Sequence, residues 1–297
     1  MVTRDDVKQA ALAARVCPGD ILLVHSSFKS LGPVEGGAET VIAGLLDALG
    51  ESGTLVLPTF VQKDFANAYN TWHINKPSDT GYLTEYFRTR PGSYRSDQAT
   101  HSVAASGAKA QWLTQTHGHT HKRFGNMGDT PFSADSPWEK MYQENARMLM
   151  LGVDPRYTTF RHYAEYVYMN ELLARVEGTD ACDGLKARLQ RANRPVPCEG
   201  AQERLYPLNP RGIWPGVNNL WVATQLEEQG KIRTSMCGEA LFTSYNVQDF
   251  VDFVLYCLRT GDNRIFRYDD IAGANEWIAN WKQWLADLEA AAAEKEK

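Results

Sequence analysis

His162 and Glu165 are the two side chains in this sequence whose spacing best suits proton transfer. They follow the apolar run Met148-Leu-Met-Leu-Gly-Val153 and belong to the segment Tyr157-Thr-Thr-Phe-Arg-His-Tyr-Ala-Glu165. Thr158 or Thr159 offers a side-chain oxygen to the first-turn N–H groups of a helix running to about Val176, the usual work of a threonine N-cap. His162 then lies in the first turn, and residues three apart on a helix meet. The positive end of the helix disfavours imidazolium, so the ring stays neutral near pH 7 and can accept a proton. That is the chemistry of a general base. The local sequence is also compatible with a buried histidine that only caps local structure.

Other groups offer different chemistry. His25-Ser26-Ser27 and His101-Ser102 each sit at a polar end of an apolar stretch, and open α/β sheets bind ligands beyond their strand ends. Gly36-Gly37 before a helix could present N–H groups to a phosphate or could simply form a turn. The chain has neither a G-x-x-x-x-G-K-[ST] nor a G-x-G-x-x-G motif. Ser26, Ser27 and Ser102 invite a serine hydrolase reading, but no G-x-S-x-G elbow is present to support it. His117-Gly-His-Thr-His121 could hold a metal through alternating imidazoles, or could be surface histidines in a polar loop. The preferred expectation is no metal.

The elements that must position these groups read as alternating helices and strands. A first helix follows the cap Thr3, with Asp5 and Asp6 in its first turn, and stops before Cys17-Pro-Gly-Asp20. Ile21-Leu-Leu-Val24 and Thr54-Leu-Val-Leu57 are continuous apolar runs, as strands covered on both faces are. Between them Val41, Ile42, Leu45, Leu46 and Leu49 mark a helix, with Gly50 as its left-handed terminator. Strand, helix and strand in that order predict a parallel pair. Further on, the pattern predicts a helix over 81–89, a strand over 101–105, and a helix from about Ala108. Another helix starts at Ser136-Pro-Trp-Glu139, followed by a strand over 147–153. After the His162 helix comes a Pro-, Arg- and Asn-rich excursion at about 180–211. A helix over 220–228, a strand over 231–235 and a helix from Asn246 to Gly261 precede a tail helix at about 270–295 carrying Trp277, Trp281 and Trp284. The tryptophan spacing predicts a packing stripe. The expected architecture is one three-layer α/β/α domain over residues 1–297 with a central, largely parallel or mixed sheet.

Composition narrows the class. A chain of 297 residues, 43% hydrophobic, can bury a large core. Its apolar runs are too short to span a bilayer, and Met-Val-Thr-Arg-Asp-Asp does not read as a secretory leader. Five scattered cysteines without a C-x-x-C pair suit reduced thiols. These features predict a cytoplasmic protein without a membrane partner. The net charge of −5 argues against nucleic acid and suits a small cationic substrate.

Val24-His-Ser-Ser-Phe-Lys-Ser-Leu-Gly-Pro-Val-Glu-Gly-Gly-Ala-Glu-Thr-Val41, then Gly50-Glu-Ser-Gly-Thr-Leu-Val-Leu-Pro-Thr-Phe60, resembles the amino-terminal signature of the aminoglycoside 3-N-acetyltransferase family. The likeness continues in order through Phe87-Arg-Thr-Arg-Pro-Gly92, Arg95-Ser96, His101-Ser-Val-Ala-Ala-Ser-Gly107, Pro131-Phe132, Asp135-Ser-Pro137, Leu149-Met-Leu-Gly152 and the Thr159, His162, Glu165 set. Gly230-Lys-Ile-Arg and Cys237-Gly-Glu-Ala240 extend it, so that it covers about residues 4–260. The resemblance implies an α/β/α acyltransferase that moves an acetyl group from acetyl-CoA to an amine of an aminoglycoside antibiotic, as resistance enzymes do, or of a related amino sugar. His162 would match the family's catalytic histidine, with Glu165, or Glu203 from the excursion, orienting it. CoA would lie near His25, Ser26, Ser27, Ser102 and Val103, and backbone N–H groups after His25 or His101 would face the thioester oxygen. A homodimer is a further expectation.

Several positions depart from the family pattern. Gln98-Ala99 replaces a common His-Pro pair, Val61 to Asp79 carries Trp72, His73 and Lys76 in place of an acidic pattern, and residues 122–134 are expanded, with Ser133 at a usual glycine. These departures bear on the acceptor. They leave room for a non-aminoglycoside biosynthetic amine, or for a non-catalytic CoA-binding relative.

Overall fold

A computed structural model describes residues 1–61, 63, 71–117, 131–185, 216–266 and 274–296. In chain order the first half contains α1 (Arg4–Ala13), β1 (Ile21–Ser26), α2 (Ala38–Leu49), β2 (Thr54–Pro58), α3 (Tyr82–Thr89), β3 (Tyr94–Arg95), β4 (Val103–Gly107) and α4 (Ala110–Thr114). The second half contains α5 (Pro137–Gln143), β5 (Arg147–Leu151), α6 (Phe160–Arg175), α7 (Asn219–Glu228), β6 (Arg233–Cys237), β7 (Ala240–Asn246), α8 (Val247–Thr260) and α9 (Ala274–Lys295). No helix among the described residues is long and apolar enough to cross a membrane.

Among the described residues the strands form one mixed seven-stranded sheet in the order β3-β4-β2-β1-β5-β7-β6. β1 runs parallel to β2, as the strand–helix–strand order predicts, and also to β5. β4 is antiparallel to β2, and β7 is antiparallel to β5. Alternate strand residues feed two cores, because successive side chains point to opposite faces. Leu22, Val24, Leu55, Leu57, Leu149 and Leu151 join Val7, Val41, Leu45 and Phe87 beneath α1, α2 and α3. Leu23, Val56, Met148 and Met150 join Trp138, Phe160, Tyr163 and Phe250 beneath α5, α6 and α8. The expected three layers are therefore present.

Several boundaries differ from the sequence expectation. β4 starts at Val103, because His101 and Ser102 belong to the turn ahead of it. β5 stops at Leu151, where Gly152 takes φ +59°. A Cβ at Gly152 would lie 1.8 Å from Ser30 Oγ, so a side chain is excluded there both by the backbone and by space. Gly50 has φ 63° but ψ −175°, so it turns the chain without the left-handed helical geometry expected of it. Gly261, at φ 71° and ψ 24°, does have that geometry. β7 has no counterpart in the expected elements; it pairs with β6 through the turn at Gly238. Half-buried Trp284 packs against the second core, whereas the side chains of Trp277 and Trp281 and most of the excursion, residues 186–211, lie outside the described set.

Candidate active site

The strand registers gather five chain segments on one rim of the sheet. Ser26 pairs with Leu151 across β1 and β5. Pro58 pairs with Val103 and Leu151 with Phe242, so the ends of β1, β2 and β5 meet the starts of β4 and β7. From that rim Asp154 caps a short 3-10 turn by accepting from Arg156 N–H at 2.8 Å. α6 follows. Neither expected threonine caps it by a side chain: Thr159 occupies the cap position without such a bond, and the Thr158 hydroxyl lies 2.6 Å from Tyr245 OH instead. Asn219 Nδ2 donates to the carbonyls of Arg156 and Thr158, fixing the same entrance from α7.

His162 lies in the first turn, and its Nδ1 is 2.9 Å from Glu165 Oε2. Glu165 is almost fully buried, at 2% side-chain exposure against 17% for His162. Burial alone would raise the Glu165 carboxyl, but the hydrogen bond and charge of His162, with Arg161 and the Val217 N–H, outweigh it and hold the group below the usual carboxylate range. A neutral imidazole then donates through Nδ1–H and keeps a lone pair at Nε2. Arg161 Nε donates to that Nε2 at 3.3 Å. The His101 ring approaches His162 edge-on, with centroids 6.2 Å apart.

His101 itself is set by its neighbours. Gln98 Oε1 accepts from the Thr100 N–H, the Thr100 hydroxyl and the His101 N–H. Trp138 Nε1 donates to the His101 carbonyl at 3.0 Å, and Phe60 and Phe132 flank the ring. The sequence offered His101 only as a polar strand end. Its approach to His162 depends on the turn that Gln98 organises.

The five positions expected around CoA divide into two kinds. Ser26 and Ser27 are half-buried at the end of β1. His25 is buried, its Nε2 has no hydrogen-bond partner among the described residues, and burial pulls its pKa down to about 4. Ser102 and Val103 are fully buried. The Ser102 hydroxyl donates to the Thr59 carbonyl at 3.0 Å and contacts Thr59 Oγ1 at 2.9 Å. The Val103 N–H donates to Ser96 Oγ and the Ser27 N–H to the Leu151 carbonyl, so both of these N–H groups are already used within the fold. The Gly37 N–H likewise closes a turn onto the Val34 carbonyl. His117 is buried with both nitrogens engaged, by Ser96 Oγ at 2.8 Å and the Pro131 carbonyl at 2.9 Å. Glu203, His119 and His121 lie outside the described residues. No cluster of metal-binding side chains occurs among the described residues.

The family model for aminoglycoside 3-N-acetyltransferase matches residues 23–259. The chain belongs to that family. It is 33% identical over 184 residues to aminoglycoside N(3)-acetyltransferase III of Salmonella sp., covering 56% of this chain and 61% of that protein. It is 31% identical over 185 residues to aminoglycoside N(3)-acetyltransferase VII of Streptomyces paromomycinus, covering 55% and 60%. The matched stretch thus spans about three fifths of the length of these curated relatives. Among solved structures, the fold is similar to the aminoglycoside acetyltransferase AAC(3)-IVa apoenzyme, with a TM-score of 0.68, 23% identity and coverage of 95% of this chain and 97% of that one. The binary complex of AAC-IIIb with CoASH gives 0.62, 21%, 89% and 97%. A complex of an AAC(3)-IVa variant with a gentamicin gives 0.67, 24%, 95% and 97%.

Proposed function

We propose that this protein is an N-acetyltransferase that moves an acetyl group from acetyl-CoA to an amine of an aminoglycoside or a related amino sugar, with His162 as general base. The observation that carries the reading is the 2.9 Å contact between His162 Nδ1 and Glu165 Oε2 at the strand-end rim. Family membership and the names of the relatives support the acceptor class, and the CoASH and gentamicin complexes of structural neighbours support the two ligands.

In this reading His162 takes the acceptor's proton at Nε2 as the amine becomes a nucleophile. Glu165 holds the ring in place and stabilises the imidazolium that forms. Its burial makes that stabilisation larger than a solvated carboxylate would provide. Acetyl-CoA, when bound, supplies the acetyl group as an activated thioester. The half-buried Ser26 and Ser27 at the end of β1 fit the polar part of that ligand, with the buried His25 behind them. Ser102 and Val103 would support the wall from behind, since both side chains are buried. In this reading Glu165, at 2.9 Å from Nδ1, is the orienting carboxylate. The same reading places the protein in the cytoplasm, with the donor.

The test is release of free thiol from acetyl-CoA with a panel of aminoglycosides, amino sugars and simple amines, run beside His162→Ala. Amine-dependent release that is lost in the variant supports the reading. Full activity in His162→Ala would overturn it.

A further inference from the structure

His162 is held from both sides of its ring. Glu165 Oε2 faces Nδ1 at 2.9 Å, and the Arg161 Nε–H points at Nε2 at 3.3 Å. A guanidinium has donors and no acceptor, so the direction of the second bond is fixed and Nε2 must present its lone pair. In the other neutral tautomer, or in imidazolium, Nε2 would carry a hydrogen aimed at the Arg161 N–H. Arg161 therefore selects from one side the tautomer that Glu165 selects from the other. That tautomer is the one a base requires.

Helix geometry does not impose this contact. Neighbouring residues on a helix point in different directions, so the Arg161 side chain must fold back along the first turn to reach the ring of the next residue. The guanidinium also occupies the lone pair to which an acceptor would give its proton. Among the described residues, the ionisable groups facing the imidazole are Glu165 and Arg161 on α6 and His101 on the turn before β4.

We propose that Arg161 is a positioning residue for the base: it holds His162 with hydrogen on Nδ1 and a lone pair on Nε2, and gives up Nε2 to the acceptor amine when one binds. The proposal rests on the reading of His162 as base. It goes beyond that reading in assigning Arg161 a role in both the tautomer and access to it.

The test compares the full-length protein with Arg161→Gln and Arg161→Lys, using nitrogen NMR of labelled histidine ring atoms, assigned with His162→Ala, together with thiol-release kinetics. The unsubstituted protein should show the Nδ1–H tautomer of His162 across neutral pH. Arg161→Gln should give a tautomer mixture and move the ring's titration midpoint up. Arg161→Lys, which keeps the charge without the fixed Nε–H, should restore the midpoint more than the tautomer. In kinetics, Arg161→Gln should lower the acceptor KM several-fold, keep kcat within about threefold, and move the acidic limb of kcat/KM with the NMR midpoint. Ring shifts and a midpoint unchanged in Arg161→Gln would overturn the proposal, as would a raised acceptor KM with the tautomer intact. The NMR signature does not depend on turnover, so its presence without thiol release from any amine would count against the proposed reaction while supporting the role of Arg161 in fixing the ring.

Discussion

Thr158 Oγ1 and Tyr245 OH lie 2.6 Å apart, joining the entrance of α6 to β7 across a fully buried contact. Burial raises the Tyr245 phenol above its usual range, so it remains a neutral hydroxyl. Tyr245→Phe leaves the Thr158 hydroxyl without that partner in a dry site. The expected cost is about 1–3 kcal/mol in urea unfolding. Thiol release should also fall at temperatures where the fold persists, because α6 begins two residues beyond Thr158 and carries His162 in its first turn.

Glu165→Gln should retain the fold and lose activity, with kcat lower by about 10²–10⁴-fold if the pair acts as base and support. Its pH signature separates it from a merely structural change. The folded carboxyl lies below its ordinary value of 4.5. It therefore contributes stability fully above pH 4.5 and loses that contribution as pH falls through the folded value. Acid unfolding followed by circular dichroism should be shallower below pH 4.5 in Glu165→Gln than in the unsubstituted protein.

His117 gives a second pH test, away from the rim. Burial first, and then the positive charge of Lys140, lower its pKa from 6.5 to about 3, despite the opposing bond to Pro131 and the charges of Asp135 and Asp97. The unfolded chain takes up a proton near pH 6.5 and the folded chain does not, so this stabilising contribution is present above 6.5 and declines as pH falls toward 3. The slope is at most about 1.4 kcal/mol per pH unit. His117→Gln should flatten the stability profile between pH 6.5 and 4, measured by denaturant titration at each pH.

Ser102 and Ser27 should respond differently to alanine. The Ser102 hydroxyl is committed to Thr59, so Ser102→Ala should cost about 1 kcal/mol of stability and leave CoA affinity within about twofold. Ser27→Ala, at the half-buried end of β1, should weaken CoA binding several-fold with little change in unfolding. Calorimetric titration with CoA separates the two, and equal losses of affinity would remove the distinction drawn between these positions.

The parts visible in the sequence were those governed by local pattern. β1, β2 and β5 read as strands because both faces are covered and each carries a continuous apolar run. The Thr3 and Ser136 caps formed as their spacing predicts, and Asp6 completes a capping box with Thr3. His162 and Glu165 met because i, i+3 spacing on a helix leaves little choice. β7 was missed because its residues mix polar and apolar types while it is paired on both sides, by β5 and β6. The destinations of the Thr158 and Ser102 hydroxyls were equally hidden, since Tyr245 lies 87 and Thr59 43 positions away. Arg161 is adjacent to His162 in sequence, yet its bond depends on the path of a flexible side chain that no spacing rule describes.

The reversal of β4 and β7 enlarges what the rim can be made of. In a sheet with every strand pointing one way, only the peptide leaving each strand reaches the ligand edge. Here β4 and β7, which flank the parallel strands, run back toward the opposite edge, so the peptide arriving at each also opens on this edge. His101 reaches His162 by that route, and Gly238-Glu239 approaches from the other flank, where Glu239 N–H bonds the Leu31 carbonyl. Arrivals and departures can therefore vary separately, giving this edge two independent sources of surface beside the His162–Glu165 pair.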